Sequence, residues 1–552
     1  MNTSTLWQAT RQWLDREAPA LPAALREAIE ALYLAVEAGH VCIRVDDAAR
    51  AEWEGSGWVG RPGDYRPFIL EDSGRFYLAR YHAHETAVAA SLRTRAAQVL
   101  EPANPQALKH DLDALFPADP QDRQRLAALL AQFRALTLVS GGPGTGKTTT
   151  VVKMLALLQA QAGSKPLRIL LAAPTGKAAQ RLSESLRAAK QKLALPADVL
   201  AQIPETAQTL HRLLGAQGDT GRFRHDENSP LACDLLLVDE ASMIDLALMQ
   251  AVLAALPADA RLVLLGDRDQ LASVEAGSVF GDLCAGGGMS AELAATLASY
   301  GVEVQPDVAT SVLGDCRVEL TRSYRFAADS GIAALAGSAR RGDAAAFLQT
   351  LAQGGEVGRT AAATLRAAVQ SGYAAFRHAA ATADVTAAFA AFQQFRVLCA
   401  HRQGVAGVEG LNALLDTGHP AWYAGRPVIV RANDYALRLF NGDIGLCLPT
   451  LDGLRVFFES APGEFRALAP GRLPAHESAW AMTVHQSQGS EFDEVLLVLP
   501  DVVTPVLDRP LVYTAVTRAK ARFSLCGNDG VIAAALATLP QRESGLAEKL
   551  RA

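Results

Sequence analysis

One decapeptide constrains this chain more than any other stretch: GGPGTGKTTT, residues 141–150. It fits the phosphate-cradle pattern GxxxxGK[ST], with Gly141, Gly146, Lys147 and Thr148 at the fixed places. Residues 136–139 just before it are apolar and strand-like. Residues 148–160 after it are helix-like, with Val151, Val152, Leu155, Leu157 and Leu158 available for a buried face. That strand–loop–helix context is what the pattern requires. Glycines let backbone N–H groups turn inward around phosphate oxygens, and the helix N-terminus adds a partial positive charge. Gly141, Gly142, Pro143, Gly144, Thr145, Gly146, Lys147, Thr148 and Thr149 are therefore candidate nucleotide-binding residues. Lys147 is expected to reach the β/γ-phosphates of ATP and Thr148 to hold Mg²⁺.

At 552 residues the chain is too long for one core and predicts three or four domains. Half of it is hydrophobic and a fifth charged, a globular composition. No apolar run approaches the ~20 residues that span a bilayer. The N-terminus is polar and carries acids, unlike a secretory signal, so a cytoplasmic location with no membrane partner is expected. Cys42, Cys233, Cys284, Cys316, Cys399, Cys447 and Cys526 are scattered and form no CxxC pair, which argues for reduced, buried thiols and against a zinc or iron–sulfur site. The net charge of −6 leaves room for a local basic groove, since binding follows clustered charge and not the total.

The pattern along the chain predicts an α/β protein. Residues 1–110 read as a helical N-terminal domain with shorter segments such as 76–81, and helix is expected over 21–38. Residues 111–318 alternate strand and helix, with strands expected at 136–139, 167–173, 235–238 and 261–265. These are short, nearly continuous apolar runs, as in parallel strands buried on both faces. Residues 286–315 are Gly- and Ala-rich and read as an insertion. A second α/β domain is expected over 319–552, with strands at 396–400, 495–499 and 522–526. Inside it, residues 415–475 read as a small β module, with strands at 427–430, 445–448 and 455–458 and turn signals at Asn441-Gly442 and Asp452-Gly453. The alanine-rich run 333–392 reads as plain helix.

LLLVDEASM places Asp239 and Glu240 at the end of an apolar strand. Asp239 is expected to bind Mg²⁺ and Glu240 to position and deprotonate the attacking water. In LLGDRDQLASVEAG, Asp267 and Gln270 follow the next strand, where open α/β sheets place their ligands. Gln270 is a candidate sensor of the γ-phosphate.

APTGKAAQRL, TLHRLLG, VDEAS, GDRDQLASVEAG, LTRSYRF, TVHQSQGSEFDEV and VYTAVTRAK follow one another in order. Together they resemble the motif set of superfamily 1 helicases, group B, the 5′→3′ translocases. Within that group the chain most resembles the RecD family, the α subunits of RecBCD-type enzymes (exodeoxyribonuclease V). The wording of GGPGTGKTTT, APTGKAAQRL and VHQSQGSEFDEV and the N-terminal EAGHVCIRV carry this likeness. The resemblance implies two RecA-like P-loop NTPase motor domains, an N-terminal domain that docks on a partner, and an SH3-like β module. It implies an ATP-dependent DNA helicase that works with RecB-like and RecC-like subunits on single-stranded DNA and duplex ends, resecting breaks for recombinational repair and degrading foreign linear DNA. No nuclease constellation is evident, so cleavage is expected on a partner.

Residue by residue, the resemblance makes Gln124 the adenine contact. Arg325 becomes an arginine finger and Arg518 a second γ-phosphate arginine, so that ATP would sit between the two motor domains. Thr175, Lys177, His211, Thr483, His485 and Gln486 become contacts to the DNA backbone. Gln488 and Glu491 would link DNA to ATP. Residues 188–205 depart from related helicases, which often carry a β-hairpin pin there; this puts unaided strand separation in doubt. A free-standing 5′→3′ repair or conjugative helicase is the alternative within the group. A nucleotide switch that never translocates would share the phosphate loop, but it has no need of TVHQSQGSEF or VTRAK.

Overall fold

The computed structural model describes residues 5–46, 50–163, 165–193, 195–218, 221–308, 311–327, 329–432, 434, 436–461 and 463–551. The chain divides into two compact units. Unit 1 comprises Met1–Arg268, Ala272–Arg322 and Gln541–Ala552, and unit 2 comprises Asp269–Leu271 and Ser323–Pro540.

Unit 1 begins with helices Thr5–Glu17 and Ala23–Glu37. The second buries Leu25, Ile29, Leu32 and Val36, one face of a 3.6-residue period. Strands β1 (Cys42–Arg44), β2 (Val59–Gly60), β3 (Phe68–Leu70) and β4 (Arg75–Leu78) form a small mixed sheet in the order β1-β4-β3-β2. The expected segment 76–81 splits: the strand stops at Leu78 and a long helix, Ala79–Ala97, starts at once.

The main sheet of unit 1 contains β5 (Leu136–Gly141), β6 (Ile169–Ala173), β7 (Gln208–Thr209), β8 (Leu235–Val238), β9 (Arg261–Gly266) and β10 (Arg317–Leu320). Its order is β10-β5-β9-β8-β6-β7 and every pairing is parallel. The alternation of a strand explains how one apolar run serves two cores. Leu136, Leu138, Leu236, Leu262 and Leu264 enter one cluster. Val139, Leu235, Leu237, Val263 and Leu265 enter the other, with helices Arg123–Phe133 and Lys147–Gln161.

Three expectations for this unit are corrected. Residues 286–315 are no insertion outside the core: Met289, Leu293, Leu297, Tyr300 and Val302 pack in the second cluster, and Arg125 donates 2.6 Å to the Tyr300 carbonyl. The N-terminal 110 residues do not separate from the first motor region, and residues 541–552 belong to unit 1. The physical cause is a polar knot. The Glu85 carboxylate is fully buried and accepts from the Tyr77 hydroxyl (2.9 Å), the Gly545 N–H (2.8 Å) and the Lys549 ammonium (2.7 Å). A buried carboxylate is costly without such donors, so the C-terminal segment is fixed to the helix that carries it. Arg542 adds bonds to the carbonyls of Ser273 (2.6 Å) and Gly277 (2.9 Å).

Within residues 188–205 the helix Gly176–Lys192 ends and the helix Ala197–Gln202 follows, with no strand among the described residues; residue 194 lies outside them. All seven cysteines are buried and free. No helix is long and apolar enough to cross a membrane.

Unit 2 holds, in chain order, β11 (Val357–Arg359), β12 (Phe395–Cys399), β13 (Pro427–Val430), β14 (Ile444–Thr450), β15 (Gly453–Ala461), β16 (Glu464–Leu468), β17 (His476–Ser478), β18 (Ala481–Thr483), β19 (Phe492–Val498) and β20 (Ala519–Cys526). The strands make two sheets. One is parallel throughout, in the order β11-β20-β19-β12-β18. The other is antiparallel throughout, in the order β16-β15-β14-β13-β17, and encloses its own small core of Val428, Val430, Cys447, Val456 and Phe458. Its β14–β15 hairpin turns at Leu451-Asp452, with Gly453 at φ +98°.

The run 333–392 is not plain helix. It breaks into Gly331–Arg341, Ala344–Gln353, Leu365–Gly372, Ala374–Ala381 and Val385–Gln394, with β11 in the middle. Gly342 ends the first helix at φ +72° in the left-handed conformation, where glycine carries no Cβ penalty.

Candidate nucleotide and DNA sites

In unit 1 the candidates other than Gln124 sit at or just past the carboxyl end of a parallel strand, the ligand-binding edge of an open α/β sheet. The phosphate loop follows β5. Gly141 closes the strand, and a Cβ there would meet the Thr145 Oγ1 at 2.7 Å and the Leu320 Cβ at 3.0 Å, so no larger residue fits. Gly146 caps the 15-residue helix Lys147–Gln161 at φ +80°, which turns the chain into the helix with its N–H groups facing the loop.

Inside the loop, Thr145 Oγ1 donates to the Gly142 carbonyl at 2.8 Å. The Lys147 ammonium donates to the carbonyl of Gly141 and, at 3.3 Å, to that of Gly142. Thr150 returns its hydroxyl to the Gly146 carbonyl at 3.0 Å. The Thr148 hydroxyl has no such partner among the described residues. Gln124 starts helix Arg123–Phe133, which Asp122 caps, and its Nε2 donates to the Thr145 carbonyl at 3.2 Å. The structure thus brings Gln124 to the loop.

Asp239 and Glu240 follow β8. The Asp239 N–H is held by the Ala172 carbonyl at 3.0 Å, and Asp239 Oδ1 accepts from the Glu240 N–H at 2.9 Å. Burial, and next the neighbouring Glu240 charge, push the Asp239 carboxyl above the ordinary carboxylate range; the fields of Lys147 and Arg181 pull the other way. A carboxyl crowded by a second acid and drawn down by a lysine is a natural cation ligand. Glu240 itself stands at φ +53°, a left-handed conformation that costs a non-glycine residue roughly 1–2 kcal/mol. Sequence reasoning passed over Arg181. Its signal is its place four residues after Lys177 in APTGKAAQRL, on the same helix face.

The DNA candidates of unit 1 lie toward the other edge of the same sheet. Thr175 follows β6 and caps helix Gly176–Lys192, accepting from the Ala178 N–H at 3.2 Å; Lys177 is in its first turn. His211 follows β7 in helix Leu210–Leu214, is exposed, and lies 5.9 Å from the Phe223 ring, centroid to centroid. In the strand order β5-β9-β8-β6, three ladder steps separate the phosphate loop from Thr175, about 14 Å at the usual strand spacing.

In unit 2 the candidates divide between the two ends of the strands. Arg518 precedes β20 and is almost wholly buried. Its guanidinium donates to the carbonyls of Thr514 (3.3 Å) and Ser490 (3.1 Å) and to Gln270 Oε1 (2.9 Å). Gln270 belongs to unit 2 through the short segment Asp269–Leu271, although it leaves β9 of unit 1 by only a few residues. Arg325 pairs with Glu491 just before β19, at 2.6 Å, and its Nη1 is buried with no hydrogen-bond partner among the described residues.

At the opposite strand end, after β18, Thr483 and Gln486 bond reciprocally. Gln486 Oε1 accepts from the Thr483 N–H at 3.0 Å, and Thr483 Oγ1 accepts from the Gln486 N–H at 3.2 Å. His485 opens the 3₁₀ turn between them. Gln488, further along, donates to the Leu271 carbonyl at 2.8 Å. The segment 483–491 therefore runs from the carboxyl end of one strand to the amino end of another, carrying Thr483 at its start and Glu491 at its finish. No group of three or more His, Cys, Asp or Glu able to hold a metal occurs among the described residues.

Residues 124–276 match the AAA domain family, and residues 478–526 match the UvrD-like helicase C-terminal domain. The chain is 41% identical to the RecBCD enzyme subunit RecD of Mycolicibacterium smegmatis, over 92% of this chain and 87% of that protein. It is 34% identical to the ATP-dependent RecD2 DNA helicase of Deinococcus radiodurans, over 76% of this chain and 50% of that protein. A solved structure of Bacteroides Pif1 bound to single-stranded DNA is similar at a TM-score of 0.41 and 17% identity, covering 77% of this chain and 95% of that one. With its phosphate loop, its acidic strand end and its match to a RecD protein along nearly the whole sequence, this chain belongs to the RecD family of RecBCD enzyme subunits.

Proposed function

We propose that this protein is the ATP-driven 5′→3′ DNA helicase subunit of a RecBCD-type helicase–nuclease, assembled in the cytoplasm with RecB-like and RecC-like partners. The observation that carries the reading is the phosphate loop, with Gln124 bonded to it and Asp239 under the field of Lys147, in a chain of the RecD family. The complex processes double-strand ends for recombinational repair and degrades foreign linear DNA. Cleavage belongs to the partner with the nuclease domain.

In this reading Gln124 meets the adenine, and the N–H groups from Gly142 to Thr149 cradle the phosphates. Lys147 exchanges the carbonyls of Gly141 and Gly142 for β/γ-phosphate oxygens. Thr148 and Asp239 are the residues that would hold Mg²⁺. They fit it, since the Thr148 hydroxyl is uncommitted among the described residues and the Asp239 carboxyl is desolvated beside a second acid. When bound, Mg²⁺ would neutralise charge on the phosphates. Glu240 takes the proton of the attacking water. Arg325 and Arg518 stabilise the charge on the transferred phosphoryl group, Arg518 by exchanging Gln270 for a phosphate oxygen.

Thr175, Lys177, His211, Thr483, His485 and Gln486 hold the backbone of one DNA strand. Their hydroxyl, amide, imidazole and ammonium groups bond phosphates without reading bases, which suits a motor that passes any sequence. The N-terminal 110 residues dock on the large non-catalytic partner, and the antiparallel module acts as an SH3-like barrel beside the DNA path.

The test is Lys147→Gln in the assembled complex. ATP hydrolysis by this subunit is abolished, its binding to partners is kept, and 5′→3′ unwinding stops. Undiminished 5′→3′ unwinding by that complex sinks the proposal. The likeness to RecD2 supports a second reading, a free-standing helicase. Purification decides: rapid unwinding of forked DNA by the isolated chain favours the second reading.

A further inference from the structure

Unit 2 contains a cavity of about 240 Å³ lined by none of the candidate nucleotide and DNA residues named above. One wall is a single helical face, with Arg366, Gln370, Tyr373 and Arg377 at i, i+4, i+7 and i+11 across helices Leu365–Gly372 and Ala374–Ala381. The opposite wall is the turn after helix Val408–Asp416, with Thr417, His419 and Tyr423. Trp480, the residue before β18, lines it as well.

Its chemistry is one-sided. No carboxylate lines it. Arg366 and Arg377 are exposed and, among the described residues, neither makes an ion pair or side-chain hydrogen bond. The nearby acid is already committed: Asp416 accepts from the Tyr423 hydroxyl (2.5 Å), the Trp480 indole (3.0 Å) and the Ser478 hydroxyl (2.5 Å). The aromatic lining is held in place as well. Tyr373 donates 2.5 Å to the Trp480 carbonyl, and the His419 and Tyr423 rings stack at 4.2 Å with 17° between their planes. His419 is exposed, so one face of that stack is open.

Two uncompensated guanidinium groups call for an anion, and an open aromatic face calls for a flat ring. The volume is below the ~300 Å³ at which sites for drug-sized ligands begin, so the cavity suits one small unit and no extended ligand. We propose that this cavity binds a single nucleoside phosphate, its phosphate between Arg366 and Arg377 and its base on the His419–Tyr423 stack. Phosphate held by arginine and a base held by stacking is how proteins grip single strands without regard to sequence. The same chemistry is offered by a residue within a DNA strand and by a free nucleotide.

The experiment uses the full chain without ATP and two photoreactive probes, 5-iodo-dUMP and a dT oligonucleotide carrying 5-iodouracil. Crosslinked peptides are mapped, and oligonucleotide affinity is followed against salt for the wild type and the Arg366→Gln/Arg377→Gln double variant. If the occupant is a strand residue, the oligonucleotide crosslinks to the peptide holding His419 and Tyr423. The double variant then loses ~0.7 from the log–log salt slope, the share of one phosphate on a single strand, about 5-fold in affinity near 0.1 M salt. If it is a free nucleotide, 5-iodo-dUMP labels the same peptide, the variant abolishes that label, and oligonucleotide affinity is unchanged. Hydrolysis of ATP without DNA stays at the wild-type rate in the variant, which separates this site from the phosphate loop. Absence of label from that peptide with both probes overturns the proposal. So does a Glu-rich peptide that binds the wild type and not the variant while neither probe labels the site, since the cavity then serves an acidic protein.

Discussion

The two parallel sheets carry their candidate chemistry differently, unit 1 at one set of strand ends and unit 2 at both. In unit 1 the loop after β5, Thr175, His211 and the Asp239–Glu240 pair all follow the carboxyl ends of strands, and the acids among them are crowded and desolvated. In unit 2 Arg518 lies before β20 and Arg325 is bonded to Glu491 before β19, while Thr483 ends β18 and Gln486 follows it. The difference teaches that a parallel sheet provides two edges. Unit 1 concentrates acceptors for a cation and donors for phosphate at one edge. Unit 2 spreads positive charge and candidate strand-binding groups over both, joined by the segment 483–491.

The hardest way to break this comparison is to remove charge from unit 2. If Arg325 acts on the transferred phosphoryl group, Arg325→Ala lowers kcat for ATP by about 10³-fold or more while leaving KM nearly unchanged. Steady-state hydrolysis in saturating single-stranded DNA measures both; a change confined to KM would assign Arg325 to nucleotide binding alone.

Next in size is a perturbation of unit 1 by itself. Glu85→Gln takes the fully buried carboxylate from Lys549, which keeps Glu71, and costs about 2 kcal/mol. Urea unfolding followed by hydrogen exchange should show the loss in the peptides 79–97 and 541–551, with β19 and β20 of unit 2 as protected as before. Equal loss in both units would mean that they unfold as one.

A pH dependence sharpens the contrast further. Burial raises the Asp282 carboxyl to about 7, the Ser544 hydroxyl lowers it, and the Glu85 charge raises it again. The folded state therefore holds this proton above the pH at which the unfolded chain releases it. The contribution is fully present below pH 3.8 and is lost as pH rises through about 7. Thermal melts across that window are expected to show a falling midpoint, and Asp282→Asn flattens the fall. An unchanged slope in the variant would remove Asp282 as its source.

The smallest effect expected is at the other edge of unit 2. Thr483→Val removes one hydroxyl from the Thr483–Gln486 pair and, in the proposed role, one phosphate contact. DNA-stimulated hydrolysis then needs several-fold more DNA for half-maximal rate, with the DNA-free rate untouched. An equal drop in both rates would make Thr483 structural.

Much of this architecture was legible before any coordinates. The runs 235–238, 261–265 and 427–430 are strands as expected, because a short, purely apolar segment bounded by turn residues has few other ways to hide both faces. The phosphate loop was legible for a stricter reason, since its glycines and lysine answer one geometric demand. By contrast, β10 was missed because RVEL alternates over only four residues, too short a run to stand out, and is recruited by lying beside β5. The break of 333–392 was missed because alanine favours helix everywhere, and Gly342 and β11 act against that local preference.

The sequence by itself determined the local chemistry: the nine-residue phosphate cradle, the acids at the end of β8, the motif order, and so the family. Those depend on residues close together in the chain, where spacing alone sets geometry. Only the tertiary structure decided that the C-terminal segment belongs to unit 1 through Glu85 and Lys549, that Gln124 rests on the Thr145 carbonyl, and that Arg518 is engaged by Gln270. Each of these is a buried or half-buried polar group whose partner is distant in sequence. Desolvation makes finding that partner obligatory, and nothing in the local sequence says where it lies.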